Sequence, residues 1–355
     1  MASKFANSPK AQAPILLVGS GIIGLFTAYY LHRMGREVIL LDRNSSPEST
    51  STGNAGMVVP SHIVPLAAPG MIEKGIRWMF SPKSPFYIHP SLNWQLFDWA
   101  LRFRRAATAE QVQRAIPHLK NISLLSMQLY QNFFATHAAE TAAFTLQQKG
   151  LLMLYQTAAM EQEELAFGVL ARQNGIEAHA LSPTDIARLE PNTPVKARGG
   201  LLFPGDAHLD PAALMEYLKK HLRTCGIPIH TGTEIHKIER NAAGQVQRVH
   251  SQGDSWDCSA LVLCSGAWTS SLTRQLGLKL PLLGGKGYSF LHANPSAASA
   301  KRPSSVKRRW PSALTGKKYA SAEPSKFRPP PTAASTTAAS KASTKPPKTS
   351  TPNFL

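Results

Sequence analysis

Apolar and polar positions divide the chain into blocks of different period. Ile15-Leu16-Leu17-Val18 and Val38 to Leu41 are unbroken apolar runs of strand length, as expected of strands buried on both faces of a parallel sheet. Between them a helix is expected to run to Met34 and stop at Gly35, and the second run ends at Asp42. This opening unit reads strand, helix, strand. Farther on, Leu92, Leu96, Trp99 and Phe103 recur at helical spacing and predict a packed face, with Arg102, Arg104 and Arg105 as a solvated helix end. A long helix is expected over 109–137, with Leu119, Ile122, Leu125 and Met127 turned inward. The stretch from Met71 to Phe80 predicts an amphipathic segment with Ile72, Ile76 and Met79 on one face, assigned to core packing because no dense cationic face accompanies it.

From Gly150 the pattern switches. Leu151 to Tyr155 reads as a strand, and a helix over 159–174 is ended by Gly175. Ser182-Pro183-Thr184-Asp185 is a helix start, with Ser182 as N-cap and Pro183 in the first position, carrying Ile186 and Leu189 inward. Gly199 to Phe203 is a strand leading into Pro204-Gly205-Asp206-Ala207-His208-Leu209-Asp210-Pro211. Three titratable groups share that loop, and Asp210 reads as the cap of the helix that Pro211 opens. Short strands over 227–230 and 233–238, followed by 246–250 and 256–263, predict a meander.

Chemistry enters at the first turn. The apolar run feeds into Gly19-x-Gly21-x-x-Gly24 at the start of the helix. Gly19 is expected to make the tight turn, Gly21 to let the backbone approach a pyrophosphate, and Gly24 to let helix and strand pack closely. A helix N-terminus offers free N–H donors and partial positive charge to that anion. Asp42, at the end of the second strand, is placed to accept from a ribose hydroxyl. Three glycines alone are a weak signal, but with strand, helix, strand and terminal acid they predict a dinucleotide site.

Composition narrows the partners. At 355 residues a single core is near its limit, so two intertwined domains are expected. The net charge of +18 is concentrated near the end, where residues from Leu291 onward carry twelve Lys and Arg against the single acid Glu323. Residues 1–290 hold twenty-seven basic and twenty acidic residues, so nucleic acid is not the expected partner of the folded part. Cys225, Cys258 and Cys264 lack metal-ligand spacing, no metal is expected, and the odd count suits a reducing compartment. The N-terminal segment lacks the apolar core of a secretory signal, and no apolar run approaches the roughly 20 residues of a bilayer span. The expectation is a cytoplasmic protein, with peripheral contact on the inner face of the cytoplasmic membrane left open.

Beyond Asp42 the chain continues through Ser51-Thr52-Gly53-Asn54-Ala55-Gly56-Met57-Val58-Val59-Pro60-Ser61-His62 and Pro65-Leu66-Ala67-Ala68-Pro69-Gly70. With the opening unit, these stretches resemble the FAD-dependent D-amino-acid dehydrogenases, within the D-amino-acid oxidase and glycine oxidase group, over residues 13–290. The resemblance implies an α/β fold: a FAD-binding doubly wound, Rossmann-like domain assembled from 13–70 and 176–290, an inserted mixed α+β substrate domain with a helical substrate-side region at 71–175, and a disordered tail at 291–355. It implies FAD on the dinucleotide site. Gly19, Ser20, Gly21, Ile22, Ile23 and Gly24 would lie at the pyrophosphate, Asp42 and Arg43 at the adenosine, and Gly53, Asn54, Ala55 and Gly56 near the flavin end. Ile235 would pass the adenine by its backbone, and Gly266 would pack beside the cofactor, with neighbouring Cys264 as filler. No catalytic residue is assigned; His208, Lys286 and Tyr288 are the substrate-side candidates.

The implied reaction is oxidation of a D-amino acid to an imino acid, which hydrolyses to a 2-oxo acid and ammonia, with hydride passing from Cα to the flavin. The electrons would leave to the respiratory chain or to oxygen. Two competing readings are a glycine, sarcosine or proline-type amine oxidase of the same group, and a catalytically incompetent remnant that binds flavin or nucleic acid.

The chain departs from the family pattern after about Phe290. Ten prolines and many Ser, Thr, Ala and Lys follow, a composition that cannot bury enough surface to offset its ordering entropy. Codons for Lys318 to Lys326, read two bases later, can encode VRFGGTIE, and the same offset on Arg309 to Leu314 permits LAVSP, both similar to family motifs. A frameshift is the expectation. The family's later part would carry the rest of the substrate sheet, the arginine and tyrosine types that hold the substrate carboxylate, and a final glycine-rich turn; no arginine of residues 1–290 matches that clamp.

Overall fold

The structure is a computed structural model that describes residues 13–46, 49–71, 73, 86–88, 94–191, 195–288, 312–314 and 323–327. Strand β1 (Ile15–Val18) enters helix α1 (Ile22–Arg33), which leads to β2 (Val38–Asp42) and the short β3 (Met57–Val58). Then come β4 (Phe86–Ile88), α2 (Trp94–Ala106), α3 (Ala109–Thr136), a single turn α4 (Ala138–Thr141) and β5 (Leu151–Tyr155). Helix α5 (Ala158–Gln173), β6 (His179–Leu181), α6 (Pro183–Leu189), β7 (Gly199–Phe203), β8 (Ala207–His208) and α7 (Pro211–Thr224) follow. The chain returns through β9 (Ile229–Thr231), β10 (Lys237–Arg240), β11 (Val246–His250), β12 (Ser255–Asp257), β13 (Ala260–Leu263) and α8 (Thr269–Gln275), and then β14 (Gly285–Tyr288), β15 (Ser312–Leu314) and β16 (Glu323–Phe327).

A parallel sheet in the order β13-β1-β2-β9 carries the dinucleotide-type unit. Successive strand side chains point to opposite faces, so the apolar runs feed two cores. Ile15, Leu17, Val38 and Leu40 pack with Leu25 and Ala28 of α1, Phe133 of α3 and Leu218 of α7. Leu16, Val18 and Leu41 pack on the other side with Ile238, Val249 and Leu272. Both faces are covered by protein, which is why these strands read as continuous apolar runs rather than alternating ones.

The second layer is a sheet in the order β15-β5-β7-β6. Strand β7 runs antiparallel to both β5 and β6, and β15 lies parallel to β5. One face holds Leu151, Met153, Leu201 and Phe203 against Ile63, Val112 and Ile116; the other holds Leu152 and Leu154 against Ile186. A third sheet joins β14, β16 and β4, and the pair β3-β8 links the two main layers.

Several elements depart from the sequence expectations. Strand β13 does not complete the meander but leaves it to pair with β1, in the register Ile15 to Ala260. The strand expected over 233–238 begins only at Lys237. The expected boundary at residue 175 falls inside the β5-β7-β6 sheet, which gathers strands from both sides of it. In α3, Val112, Ile116, Met127, Phe133 and Phe134 are buried, whereas Ile122 and Leu125 are exposed. The helix packs its first turns on the core of the β5-β7-β6 sheet and its last turns on the core of the parallel sheet, so no single stripe describes it. In α6, Ile186 is buried but Leu189 is exposed. Leu96, Trp99 and Phe103 of α2 are only half-buried. Within residues 291–355 the structure describes only β15 and β16, which pair in sheets; Ile72, Ile76, Met79 and Leu92 lie outside the described residues. Among the described residues, no helix is long and apolar enough to cross a membrane.

Candidate functional site

The turn between β1 and α1 is built by close approach of backbone to backbone. Gly19 sits at φ 109°, and a Cβ there would lie 2.5 Å from the Cys264 carbonyl oxygen. Only glycine takes that conformation without strain. A Cβ on Gly24 would lie 1.9 Å from the Gly19 carbonyl oxygen, so α1 can pack onto the turn only through a bare backbone. Gly21 differs, because its φ is −69° and a Cβ would meet nothing nearer than Ser51 Oγ at 3.2 Å. The protein itself makes little demand for glycine at position 21.

Helix α1 starts at Gly21 with no side-chain cap and no acid in its first turn, leaving its N-terminal amides turned toward the turn's mouth. One is occupied, since Ile22 N–H donates to Ser51 Oγ at 3.0 Å. Ile23 is exposed. Asp42 is bound into the turn: its Oδ2 accepts from Ser20 N–H at 2.6 Å and Ser20 Oγ–H at 2.7 Å, and its Oδ1 accepts from Asn44 N–H at 2.8 Å. A carboxylate has about four lone-pair sites, so this anchoring leaves acceptor capacity.

Beside the acid, the Arg43 guanidinium stacks over the Trp268 ring at 4.1 Å. Trp268 Nε1 is buried and has no hydrogen-bond partner among the described residues, a donor of the kind that a ligand acceptor satisfies. Gly266, at φ 54°, opens the short turn that carries Trp268. Ile235 is buried in the core beneath the sheet, so only its backbone is available to a ligand. The Cys264 thiol is pushed up by burial, which keeps it an unreactive thiol.

The loop from Ser49 to Gly56 is ordered by its own side chains. Ser49 N–H donates to Thr52 Oγ1 at 2.9 Å, Asn54 Nδ2 donates to the Ser51 carbonyl at 2.8 Å, and Gly56 N–H donates to Asn54 Oδ1 at 2.7 Å. Gly53, Asn54 and Ala55 are exposed, and Gly56 is buried, its carbonyl accepting from Leu209 N–H at 2.9 Å. A cavity of about 190 Å³ lies between this loop, the start of α1 and α7, lined by Ile22, Ser51, Asn54, Met57, Tyr130 and Leu214 among others.

The three titratable groups after β7 have separate fates. Asp210 caps α7, accepting from Ala212 and Ala213 N–H. His208 lies in β8 opposite Met57, bridged through its backbone to Gln147. Asp206, given no separate role by the sequence, is 2% exposed and bonds Ser61 across 145 positions. Burial pushes its pKa up to about 6 against the opposing Ser61 bonds. The backbone of Lys286 and Tyr288 lies in β14, facing Lys326 and Glu323 of β16, so the three substrate-side candidates occupy two different sheets.

Residues 15–323 match the family described as FAD dependent oxidoreductase. The chain is 30% identical over 284 residues to a D-amino acid dehydrogenase of Chromohalobacter salexigens, covering 78% of this chain and 66% of that one. It is 30% identical over 281 residues to a D-amino acid dehydrogenase of Neisseria meningitidis, with the same coverage of both chains. The chain thus spans just under two thirds of the length of these curated relatives. Glycine oxidase from Geobacillus kaustophilus shares the fold with a TM-score of 0.55 at 19% identity, over 78% of this chain and 61% of that one. Since residues 15–323, most of the chain, match that family's model, the chain belongs to the FAD dependent oxidoreductase family.

Proposed function

We propose that the chain holds FAD along the Gly19–Gly24 turn and serves the oxidative deamination of D-amino acids to 2-oxo acids. The observation that carries the cofactor assignment is the contrast among the three glycines. Gly19 and Gly24 are demanded by the protein's own backbone, whereas a Cβ on Gly21 would meet only the Ser51 hydroxyl, at 3.2 Å, at a helix end whose next amides are free for a ligand. The D-amino-acid substrate is supported by the D-amino acid dehydrogenases among the relatives.

In this reading the amides of Ile23 and Gly24 hold the pyrophosphate, Asp42 accepts from the ribose, and Arg43 with Trp268 flanks the adenosine half. The loop Gly53 to Gly56, held rigid by Asn54 and Ser49, borders the flavin end. When bound, FAD supplies the two-electron acceptor for the hydride on the substrate's Cα. The protein's part is to orient that carbon and exclude water; the buried core below Val58 and Ile63 supports the second task.

The test is the visible absorption of the purified 355-residue chain before and after anaerobic D-alanine. A flavin spectrum that bleaches supports both cofactor and substrate. A flavin that bleaches with glycine, sarcosine or proline but not with D-alanine moves the substrate class, and colourless protein that does not take up added FAD overturns the assignment for this chain.

A further inference from the structure

We infer that Asp206 and Ser61 form a positioning pair that sets the tautomer of His62, so that the proton on Asp206 decides which imidazole nitrogen of His62 carries hydrogen. The three groups form one chain. Asp206 Oδ1 accepts from Ser61 N–H at 3.0 Å and Oδ2 lies 2.5 Å from Ser61 Oγ, while Ser61 Oγ lies 3.1 Å from His62 Nδ1. Asp206 is 2% exposed and Ser61 is fully buried, so neither can turn to water for a substitute partner. Ile63, fully buried in the substrate-side core, pins the next position of the loop.

A serine hydroxyl has one hydrogen, and that makes the chain directional. When Asp206 is ionised it can only accept, so the Ser61 hydrogen points at Oδ2. Ser61 Oγ then accepts from His62 Nδ1–H, and His62 Nε2 is left with a bare lone pair. When Asp206 is protonated, its own hydrogen goes to Ser61 Oγ, the Ser61 hydrogen turns to His62 Nδ1, and Nδ1 must be the bare nitrogen. The imidazole hydrogen then sits on Nε2. One proton is gained at the carboxyl, and one is relocated within the ring by exchange with solvent at the exposed edge of His62.

The surroundings keep this a two-group device. Asp206 is otherwise bonded through its backbone, to the Phe203 carbonyl and the Gly150 amide, and no charged side chain among the described residues contributes to the titration of either Asp206 or His62. Asp206 titrates near 6. Burial holds His62 below the ordinary imidazole value, which favours the neutral ring whose tautomer is the variable.

The consequence for chemistry rests on the proposed flavin-dependent reading. His62 lies beyond Val58, the last residue of its loop to line the cavity at the start of α1, and its ring is exposed. A bare Nε2 on that ring is a proton acceptor for an amine that reaches it, and the Nε2–H tautomer is a donor. Asp206 and Ser61 touch no reacting atom; they act through His62.

The experiment is nitrogen-15 NMR of the histidine rings in the full chain, without flavin, with the His62 signals assigned from their loss in His62→Gln. In the unsubstituted chain the hydrogen on the neutral His62 ring is expected to sit on Nδ1 above the Asp206 titration and to shift toward Nε2 as Asp206 takes up its proton, read before the ring becomes imidazolium and carries hydrogen on both nitrogens. In Asp206→Asn the amide donates to Ser61 Oγ at every pH, so Nε2–H is expected throughout. In Ser61→Ala the pH dependence of the tautomer should vanish. A His62 tautomer that stays the same across pH in the unsubstituted chain, or that survives Ser61→Ala with its pH dependence intact, overturns the inference. Neither outcome bears on whether D-alanine bleaches a flavin, so the two proposals fail separately.

Discussion

Ser51 Oγ accepts the Ile22 amide at 3.0 Å, which ties the loop after β2 to the first free donor of α1 from 29 positions away. The hydroxyl caps the helix from outside its own sequence, at the place where a phosphate would lie. Ser51→Ala is expected to cost about 1 kcal/mol, as for loss of an N-cap, read as a lower melting temperature. Flavin affinity should fall as well, because the loop from Ser49 to Gly56 loses its anchor. Unchanged proteolysis of that loop and unchanged flavin affinity would show that the contact is incidental.

The glycines should separate by mechanism. Gly24→Ala drives a methyl to within 1.9 Å of the Gly19 carbonyl and is expected to destabilise by roughly 2–3 kcal/mol or more, with loss of flavin. Gly21→Ala should leave the urea midpoint of the flavin-free chain within about 1 kcal/mol of the parent, while weakening flavin binding at least about tenfold. A Gly21→Ala chain that binds FAD normally would refute the pyrophosphate placement.

Asp206 predicts an inverted pH dependence for a carboxylate. Its folded pKa, about 6, lies above the unfolded value of roughly 3.9, so between the two the folded state holds more protons. The contribution is fully present below the unfolded value and is lost as pH rises through the folded one. The loss is on the order of 2–3 kcal/mol, from burying a charge that only Ser61 compensates. Urea melts across this range should show Asp206→Asn without that component; a variant whose pH slope matches the parent would remove Asp206 as its source.

His137 predicts the opposite slope. Tyr29 OH lies 3.0 Å from His137 Nε2, Tyr217 OH lies 2.9 Å from Nδ1, and Arg33 donates to Tyr29 OH at 3.3 Å. A neutral imidazole satisfies both tyrosines at once, one ring nitrogen accepting from a hydroxyl and the other donating to the second. Burial lowers the His137 pKa, with Arg33 adding to the effect and Glu140 opposing it; burial also lowers His221, with His137 and His32 in the same sense and Glu140 against. For a base with a depressed folded pKa, the unfolded chain protonates first. Stability is therefore full above about pH 6.5 and lost as pH falls below it. Tyr29→Phe should cost about 1–2 kcal/mol at neutral pH and reduce this acid sensitivity, checked by melts of single and double variants with Tyr217→Phe.

The coding DNA offers a fifth check. Read two bases out of frame after about codon 290, it is expected to encode a continuous glycine-rich flavoprotein segment that includes VRFGGTIE where Lys318 to Lys326 now stand. Stop codons or a reading without that continuity would end the frameshift idea.

Local elements were legible because their causes are local. The apolar runs at Ile15 and Val38, the capping box of Ser182 with Asp185, and the Asp210 cap of α7 each depend on residues within a few positions, and each stands where spacing and side-chain type put it. The pairing of β13 with β1, the split loyalty of α3 between two cores, the Arg43–Trp268 stack and the Asp206–Ser61 bond join segments far apart in the chain. Periodicity records which face of an element is apolar, but not which distant surface will cover it or which buried carboxyl will meet which hydroxyl. Those outcomes follow from packing all the faces at once, and they are where the chemistry at Asp206, Ser61 and His62 arises.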